Sequence, residues 1–245
     1  MIRVAFISDI HGNIDAFQSV LARIDQVGVD MTLCLGDIVG YGPAPAECIA
    51  LIREREIPTV LGNHDEYVTL IDDPHVKALR PEIQQAIEWT QMHLSMDDLK
   101  WLSQLPRVID AESFAMIHSS FSAKSRWAYC VDEHTFMDNF KHQTYELAFC
   151  GHSHQPLIGY DQTPELPMVD FIRDVTLPTE GKIMVNVGSV GQPRDRNPKS
   201  CVVFYEVENR HLWLERVEYD LKSAYKRFAQ AKLPPRFGDR IMLGK

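Results

Sequence analysis

The amino-acid sequence predicts an α/β fold built from parallel βαβ units, and three observations carry that prediction. Short apolar runs at residues 3–8, 31–35 and 57–61 alternate with two stretches of helical character. The runs are apolar along their length rather than at every second position, which fits strands covered on both faces. The stretches between them repeat their apolar residues at helical spacing. Strand, helix, strand, helix, strand is the pattern of parallel βαβ units.

Taken in order, the first run leads into a helix over residues 14–24, whose apolar positions 14, 17, 20, 21 and 24 share one face. Asn13 is its expected N-cap. A helix over 46–55 separates the second and third runs. Residues 66–106 read as a helical insertion: Pro81 suits the first turn of a helix over 81–94, and Ser95 with Asp98 forms an N-cap arrangement for a shorter helix ending before Pro106. Strand-like runs return at 113–117, 146–150, 182–187 and 201–207. The turn Glu208-Asn209-Arg210 then joins a hairpin strand over 212–219, and a last helix covers 221–231. Residues 119–145 read as a loop, as do 161–181 with their prolines and acidic residues.

At 245 residues the chain is long enough for one sizeable core and is read as a single domain over 1–245. It is 45% hydrophobic and 24% charged, with no apolar run long enough for a bilayer and no visible export signal. A soluble, cytoplasmic protein is expected. Its five cysteines, an odd number set mostly in apolar runs, fit buried free thiols in a reducing compartment. The net charge of -9 disfavours a protein that coats a nucleic-acid polymer. Bound divalent cations would reverse the field locally, so a small phosphorylated substrate is compatible with it.

Five pieces of sequence carry the chemistry. Asp9-Ile10-His11, Gly36-Asp37, Gly62-Asn63-His64-Asp65, His118 and Gly151-His152-Ser153-His154 each follow a strand-like run. One Asp-x-His arises easily by chance and is usually a solvated turn; five such pieces in order, each at a strand end, are not explained that way. Ligands of open α/β sheets bind outside the carboxyl ends of the strands, so the topology is expected to gather these residues. Carboxylate and amide oxygens mixed with imidazole, without thiolate, suit Mn²⁺, Fe²⁺, Zn²⁺ or Co²⁺, whereas a structural zinc site would be rich in cysteine. Seven candidates, Asp9, His11, Asp37, Asn63, His118, His152 and His154, are too many for one ion. They suffice for two if one carboxylate bridges, with paired ions ~3.5 to 4 Å apart. Asp37, the central acidic residue of the set, is the expected bridge.

This series resembles the signature of the calcineurin-like metallophosphoesterases. The resemblance covers nearly the whole chain, because residues 36–43 (Gly-Asp-Ile-Val-Gly-Tyr-Gly-Pro) and 188–194 (Gly-Ser-Val-Gly-Gln-Pro-Arg) are similar to a compact prokaryotic branch that includes small phosphodiesterases. It implies a four-layer αββα sandwich with two divalent metals at the strand ends, Mn²⁺ first, with Fe, Zn, Co or Ni as alternatives. One metal would be held by Asp9, His11, Asp37 and His154, the other by Asp37, Asn63, His118 and His152. His64 would be the non-ligand that meets the substrate. Ser119 stands where the family often has Gly, and Val187 where it often has Pro; neither departure removes a ligand.

Two divalent ions, two aspartates and a bridging hydroxide leave the centre a charge of about +1, which draws an anionic phosphoryl group. Coordination lowers the pKa of water from ~15.7 to ~7, supplying hydroxide for in-line attack on phosphorus. His64 would donate a hydrogen bond to a phosphoryl oxygen or a proton to the leaving group. The expected function is hydrolysis of a small phosphodiester. A phosphomonoesterase, including a phosphoprotein or dinucleoside polyphosphate hydrolase, would use the same ligands with different pocket walls. A protein-interaction scaffold is the reading from another class, and it tolerates loss of the histidine this chain keeps as His64.

Among the remaining polar residues, Asp65 is expected as a turn residue or hydrogen-bond partner rather than a ligand. Arg194, in a Gly- and Pro-rich loop, contacts a substrate phosphate or is simply solvated. Lys124 and Arg126 read as surface charges, and His75, His93, His134, His142 and His211 lie outside the motif set. A tyrosinate iron centre of the purple acid phosphatase kind is rejected: the position three residues after Asp37 is Gly40, and Tyr41 lies one residue too far.

Overall fold

The structure, a computed structural model, describes residues 1–122 and 125–245, so Lys124 lies outside the described residues. In chain order the elements are β1 (Arg3–Ile7), α1 (Ile14–Val27), β2 (Met31–Cys34), α2 (Pro45–Glu54), α3 (Asn63–Thr69), α4 (Pro74–Lys77), α5 (Pro81–Met92), α6 (Met96–Ser103), β3 (Val108–Asp110), β4 (Ala115–Ile117), α7 (Glu133–His142), β5 (Leu147–Cys150), β6 (Pro156–Tyr160), β7 (Met168–Phe171), β8 (Val175–Thr176), β9 (Ile183–Val187), β10 (Ser200–Glu206), β11 (His211–Val217), α8 (Leu221–Gln230) and α9 (Pro235–Leu243).

The strands form two sheets, ordered β2-β1-β10-β11-β8 and β3-β4-β5-β9-β6-β7. Successive side chains of a strand point to opposite faces, and both faces of each sheet's centre are apolar. Val4 and Phe6 of β1 with Val203 and Tyr205 of β10 pack against Met116, Leu147, Phe149 and Val185 of the other sheet. The stacked rings of Phe6 and Phe149, 3.8 Å apart, mark that contact. Ala5, Ile7, Val202 and Phe204 face the opposite way, into a core shared with Phe17 and Val20 of α1 and Cys48 and Ile49 of α2. On the far side, Ala148, Cys150 and Met184 pack beneath Phe136 and Phe140 of α7. The layers therefore run helix, sheet, sheet, helix, the expected αββα sandwich. No helix among the described residues is long and apolar enough to cross a membrane.

Local signals behave as read. Asn13 accepts from the Ala16 amide at 3.2 Å, and Ser95 and Asp98 form a reciprocal capping box. Pro81 opens α5. Elsewhere tertiary context overrides them. Residues 57–61 make only an isolated bridge between Thr59 and Cys34, because Pro58 has no N–H to give and the Leu61 amide turns away to the Pro106 carbonyl. Residues 119–145 contain α7, and 161–181 contain β7 and β8, where loops are expected from the sequence. β7 is an edge strand with mostly exposed side chains, so its pairing with β6 defines it and no apolar pattern announces it. β3, β6 and α9 are likewise additions to the sequence reading.

Candidate metal centre

The loops after β1, β2, β4 and β5 and the start of α3 converge at one end of the two sheets. They bring Asp9 and His11, Asp37, His118, His152 with His154, and Asn63 with His64 into one buried cluster. Asp9, His11, Asp37, His152 and His154 all have left-handed backbone, with φ of 52°, 49°, 54°, 66° and 60°. That conformation is uncommon for residues with a Cβ and concentrates at functional sites. A backbone lattice holds it: the amides of Asp9, His11 and Gly191 donate to the carbonyls of Gly36, Asp37 and Asp9 at 3.0, 2.9 and 2.9 Å.

Two groups of side chains could each hold an ion, Asp9 with His11 and His154, and Asp37 with His118 and His152. Asp37 stands between them, since its Oδ2 lies 3.6 Å from His11 Nε2 and 3.3 Å from His118 Nε2. Asn63 joins the second group through Oδ1, 3.2 Å from His118 Nε2. Asp9 Oδ1 lies 3.2 Å from His154 Nε2 yet is buried with no hydrogen-bond partner.

The donor set fits divalent cations. His11, His118 and His154 each direct Nδ1 at a backbone carbonyl, of Val39, Leu35 and Gln192, at 3.0, 2.6 and 2.6 Å. A carbonyl only accepts, so Nδ1 carries a proton, and each ring when neutral leaves Nε2 as a lone pair facing inward, the tautomer that metal-binding imidazoles adopt. His152 reverses the arrangement, with Nε2 toward the Trp127 carbonyl at 3.2 Å and Nδ1 left free. His11 and His154 bring their Nε2 atoms to 3.2 Å of each other. Two facing lone pairs at that distance call for a cation or a proton between them.

Electrostatics agree with this arrangement. Burial would raise the carboxyls of Asp9 and Asp37, but the surrounding histidines hold both below the ordinary carboxylate range. Burial lowers His11, His152 and His154, so these rings are neutral and have lone pairs to offer at pH 7. His118 is the exception: burial opposes its charge, but Asp37, Asp9 and the Leu35 carbonyl raise it to about 9.

His64 is set apart from both groups. Burial lowers it to about 4, partly offset by Asp37, and its Nδ1 is buried without a partner. Its backbone amide donates to Asp37 Oδ1 at 2.8 Å, and its ring lies 4.3 Å from that of Tyr41. Gly40 makes room for it: at φ +86° a Cβ there would sit 2.6 Å from His64 Nδ1.

Asp65 is a hydrogen-bond acceptor set behind the metal loops. Its Oδ2 accepts from the amides of Asp37 and Gly62, and its Oδ1 from those of Ile38 and Val39. Arg194 is half-buried, its guanidinium over the Tyr41 ring and its amide donating to the His154 carbonyl at 3.1 Å. Arg126 is half-exposed and paired with Glu66. The other histidines stay outside the cluster; His211, for example, pairs with Asp174 at 2.6 Å. The sequence reading missed Tyr129, whose ring stacks on His152 at 4.1 Å, and the arginines of α9 near Arg194. Tyr129 has no local signal. For α9 there was one: Pro234-Pro235 to start a helix, Phe237 and Ile241 one turn apart, and Gly244 to end it.

A two-sheet sandwich with carboxylates and imidazoles gathered at its strand ends has the donor set of a metal-dependent hydrolase. The calcineurin-like phosphoesterase superfamily domain matches residues 2–210, and the chain belongs to that superfamily. An uncharacterized protein of Methanocaldococcus jannaschii, MJ0912, is 33% identical over 99% of this chain and 98% of its own. A metallophosphoesterase from Sphaerobacter thermophilus superimposes with a TM-score of 0.84 at 31% identity, over 100% of this chain and 99% of that one. Shorter matches include the symmetrical bis(5'-nucleosyl)-tetraphosphatase of Vibrio campbellii, 26% identical over 47% of this chain and 44% of that protein. Phosphodiesterase YfcE of Escherichia coli is 33% identical over 28% of this chain and 42% of its own length.

Proposed function

We propose that the chain is a dinuclear metal-dependent phosphodiesterase acting on a small substrate. Asp9, His11, Asp37 and His154 hold one divalent ion, and Asp37, Asn63, His118 and His152 hold the other, with Mn²⁺ as the first candidate. The observation that carries the reading is the position of Asp37 Oδ2, within 3.6 Å of an imidazole Nε2 from each group, which suits one carboxylate shared by two ions. Bound there, the ions supply Lewis acidity and a nucleophile derived from water.

The chain's own residues do the rest. His64 is neutral at pH 7 and has one ring proton to donate to a phosphoryl oxygen or to the leaving group. Asp65 holds the Asp37 loop and the start of α3 in register. Arg194 contacts a phosphoryl oxygen from the side of Tyr41. The partial likeness to a phosphodiesterase supports the diester as substrate.

The test compares chelator-treated and Mn²⁺-restored protein on a p-nitrophenyl phosphodiester and the matching monoester. Metal-dependent turnover, faster for the diester, is expected. Faster monoester turnover would overturn the diester assignment, and turnover unaffected by chelation would overturn the metal centre. His64→Ala should retain bound metal and lose turnover.

A further inference from the structure

Beside the centre lies a cavity of about 300 Å³ walled by Tyr41, Tyr129, Arg80, Arg194, Arg236 and Arg240. Two of its walls, Tyr41 and Tyr129, border the cluster. The Tyr41 ring stands 4.7 Å from that of His11 and 4.3 Å from that of His64, and Tyr129 stacks on His152. Four guanidinium groups and one carboxylate, Glu82, meet here in a chain whose net charge is -9. Glu82 is engaged with Arg236 at 3.5 Å. Arg80, Arg194 and Arg240 form no ion pair among the described residues. Arg194 Nη2 donates to Gln192 Oε1 at 2.8 Å, while its Nε is buried without an acceptor. Burial and the neighbouring Arg194 both disfavour the charge on Arg240. Like charges in a half-buried cavity repel unless an anion joins them.

The cavity is also built deliberately by the fold. Arg236 and Arg240 belong to α9, beyond the residues 2–210 that match the superfamily, and they lie one turn apart on one helix face. Phe237, between them in sequence, is buried with its ring 4.8 Å from that of Tyr41. Gly244 ends α9 in left-handed conformation, and its carbonyl accepts from the Arg196 amide at 2.7 Å, which ties the helix to the Arg194 loop.

We infer that this cavity binds a second phosphoryl group of the substrate, held by Arg240 and Arg194 with Arg80 at the rim, while the first is at the metal centre. The preferred substrates are then disubstituted phosphates that carry a further phosphate, either diesters with a second phosphoryl group or the phosphoanhydrides of two nucleosides joined through a polyphosphate, rather than diesters with a single phosphorus. Guanidinium suits this task because its fork of donors matches two phosphoryl oxygens at once. The inference rests on the phosphoesterase reading above.

The experiment measures kcat/KM of Mn²⁺-loaded wild type, Arg240→Gln and Arg80→Gln on bis(p-nitrophenyl) phosphate and on diadenosine tetraphosphate. Calorimetric binding of the tetraphosphate to the same proteins in chelator accompanies it. Arg240→Gln is expected to lose about tenfold or more kcat/KM on the tetraphosphate beyond any loss on the diester, through KM, and to weaken tetraphosphate binding by a similar factor, with partial rescue in Arg240→Lys. Equal losses on the two substrates, or unchanged binding, overturn the inference. If wild type turns over neither substrate, the phosphoesterase reading fails. Binding then decides the cavity alone: a weakened complex in Arg240→Gln sustains an anion subsite, and an undiminished one removes it. If circular dichroism shows Arg240→Gln unfolded, the exposed Arg80→Gln is judged by the same criteria.

Discussion

Asp65→Asn is the sharpest test of how the loops of the candidate metal centre are held. The Asp65 carboxylate accepts four backbone amides with two oxygens, from Asp37 and Gly62 at 2.7 and 3.1 Å and from Ile38 and Val39 at 2.9 and 3.2 Å. Asparagine keeps the shape and one acceptor oxygen but turns the other into an NH₂ group facing two N–H donors. Two buried amides lose their acceptor, at ~1–3 kcal/mol each, or about 2–6 kcal/mol together. Charge works the other way, because burial and the neighbouring Asp37 push the Asp65 carboxyl up to about 7. Removing that charge relieves repulsion and returns part of the loss. At pH 8, where the carboxyl is ionised, the net destabilisation should fall at the lower end, about 2 kcal/mol. Urea unfolding followed by tryptophan fluorescence measures it, with both proteins in chelator so that no ion contributes; the midpoint should fall with the slope unchanged. An Asp65→Asn protein at least as stable as wild type in chelator would refute the reasoning. A deficit seen only after metal is restored would make Asp65 a ligand instead.

Asn13 caps α1 and also donates to the Gly191 carbonyl at 2.9 Å; Asn13→Ser should keep the cap and lose the tie, costing about 1–2 kcal/mol in the same assay, and Asn13→Ala should lose about 1 kcal/mol more. A Ser variant as stable as wild type would show that the tie contributes nothing. Gly40→Ala, which forces a left-handed alanine against His64, should lower kcat about tenfold or more while metal content by mass spectrometry stays at wild-type stoichiometry; loss of metal would place the damage elsewhere. Burial pushes Cys130 up to about 12 and Cys201 up to about 11, and Cys34, Cys48 and Cys150 are also buried free thiols. At pH 8 a disulfide-exchange reagent should modify none of the five in the native protein and all five in urea; fast native labelling would contradict the packing.

Much of the frame is local and therefore legible. Asn13, Ser95 with Asp98, and Pro81 act on backbone groups within a few residues, so their role is written beside them. The metal-centre candidates are legible for a related reason: each follows a strand-like apolar run, and strand ends are where this kind of sheet collects its ligands. What the sequence hides is long-range. Pro58 removes one amide and residues 57–61 drop out of the ladder, although their composition is that of a strand. β7 exists through its partner β6. The carbonyls of Leu35, Val39 and Gln192, which aim three imidazoles, leave no side-chain signature at all. Arg240 comes to lie near Arg194 only because Phe237 packs on Tyr41 and Gly244 meets Arg196, contacts that no spacing rule foretells.

The left-handed backbone at Asp9, His11, Asp37, His152 and His154 bears on how portable such a centre is. Glycine would relax each position and delete the side chain that matters there. At ~1–2 kcal/mol per residue, five such conformations amount to about 5–10 kcal/mol, as large as the whole net stability of many domains. A transplanted motif would spring back to ordinary backbone on a scaffold lacking the interlocking carbonyls of Gly36, Asp37 and Asp9. Ancestry of this chemistry should accordingly follow ancestry of the two-sheet frame, and designers seeking to borrow it would have to carry the surrounding loops along.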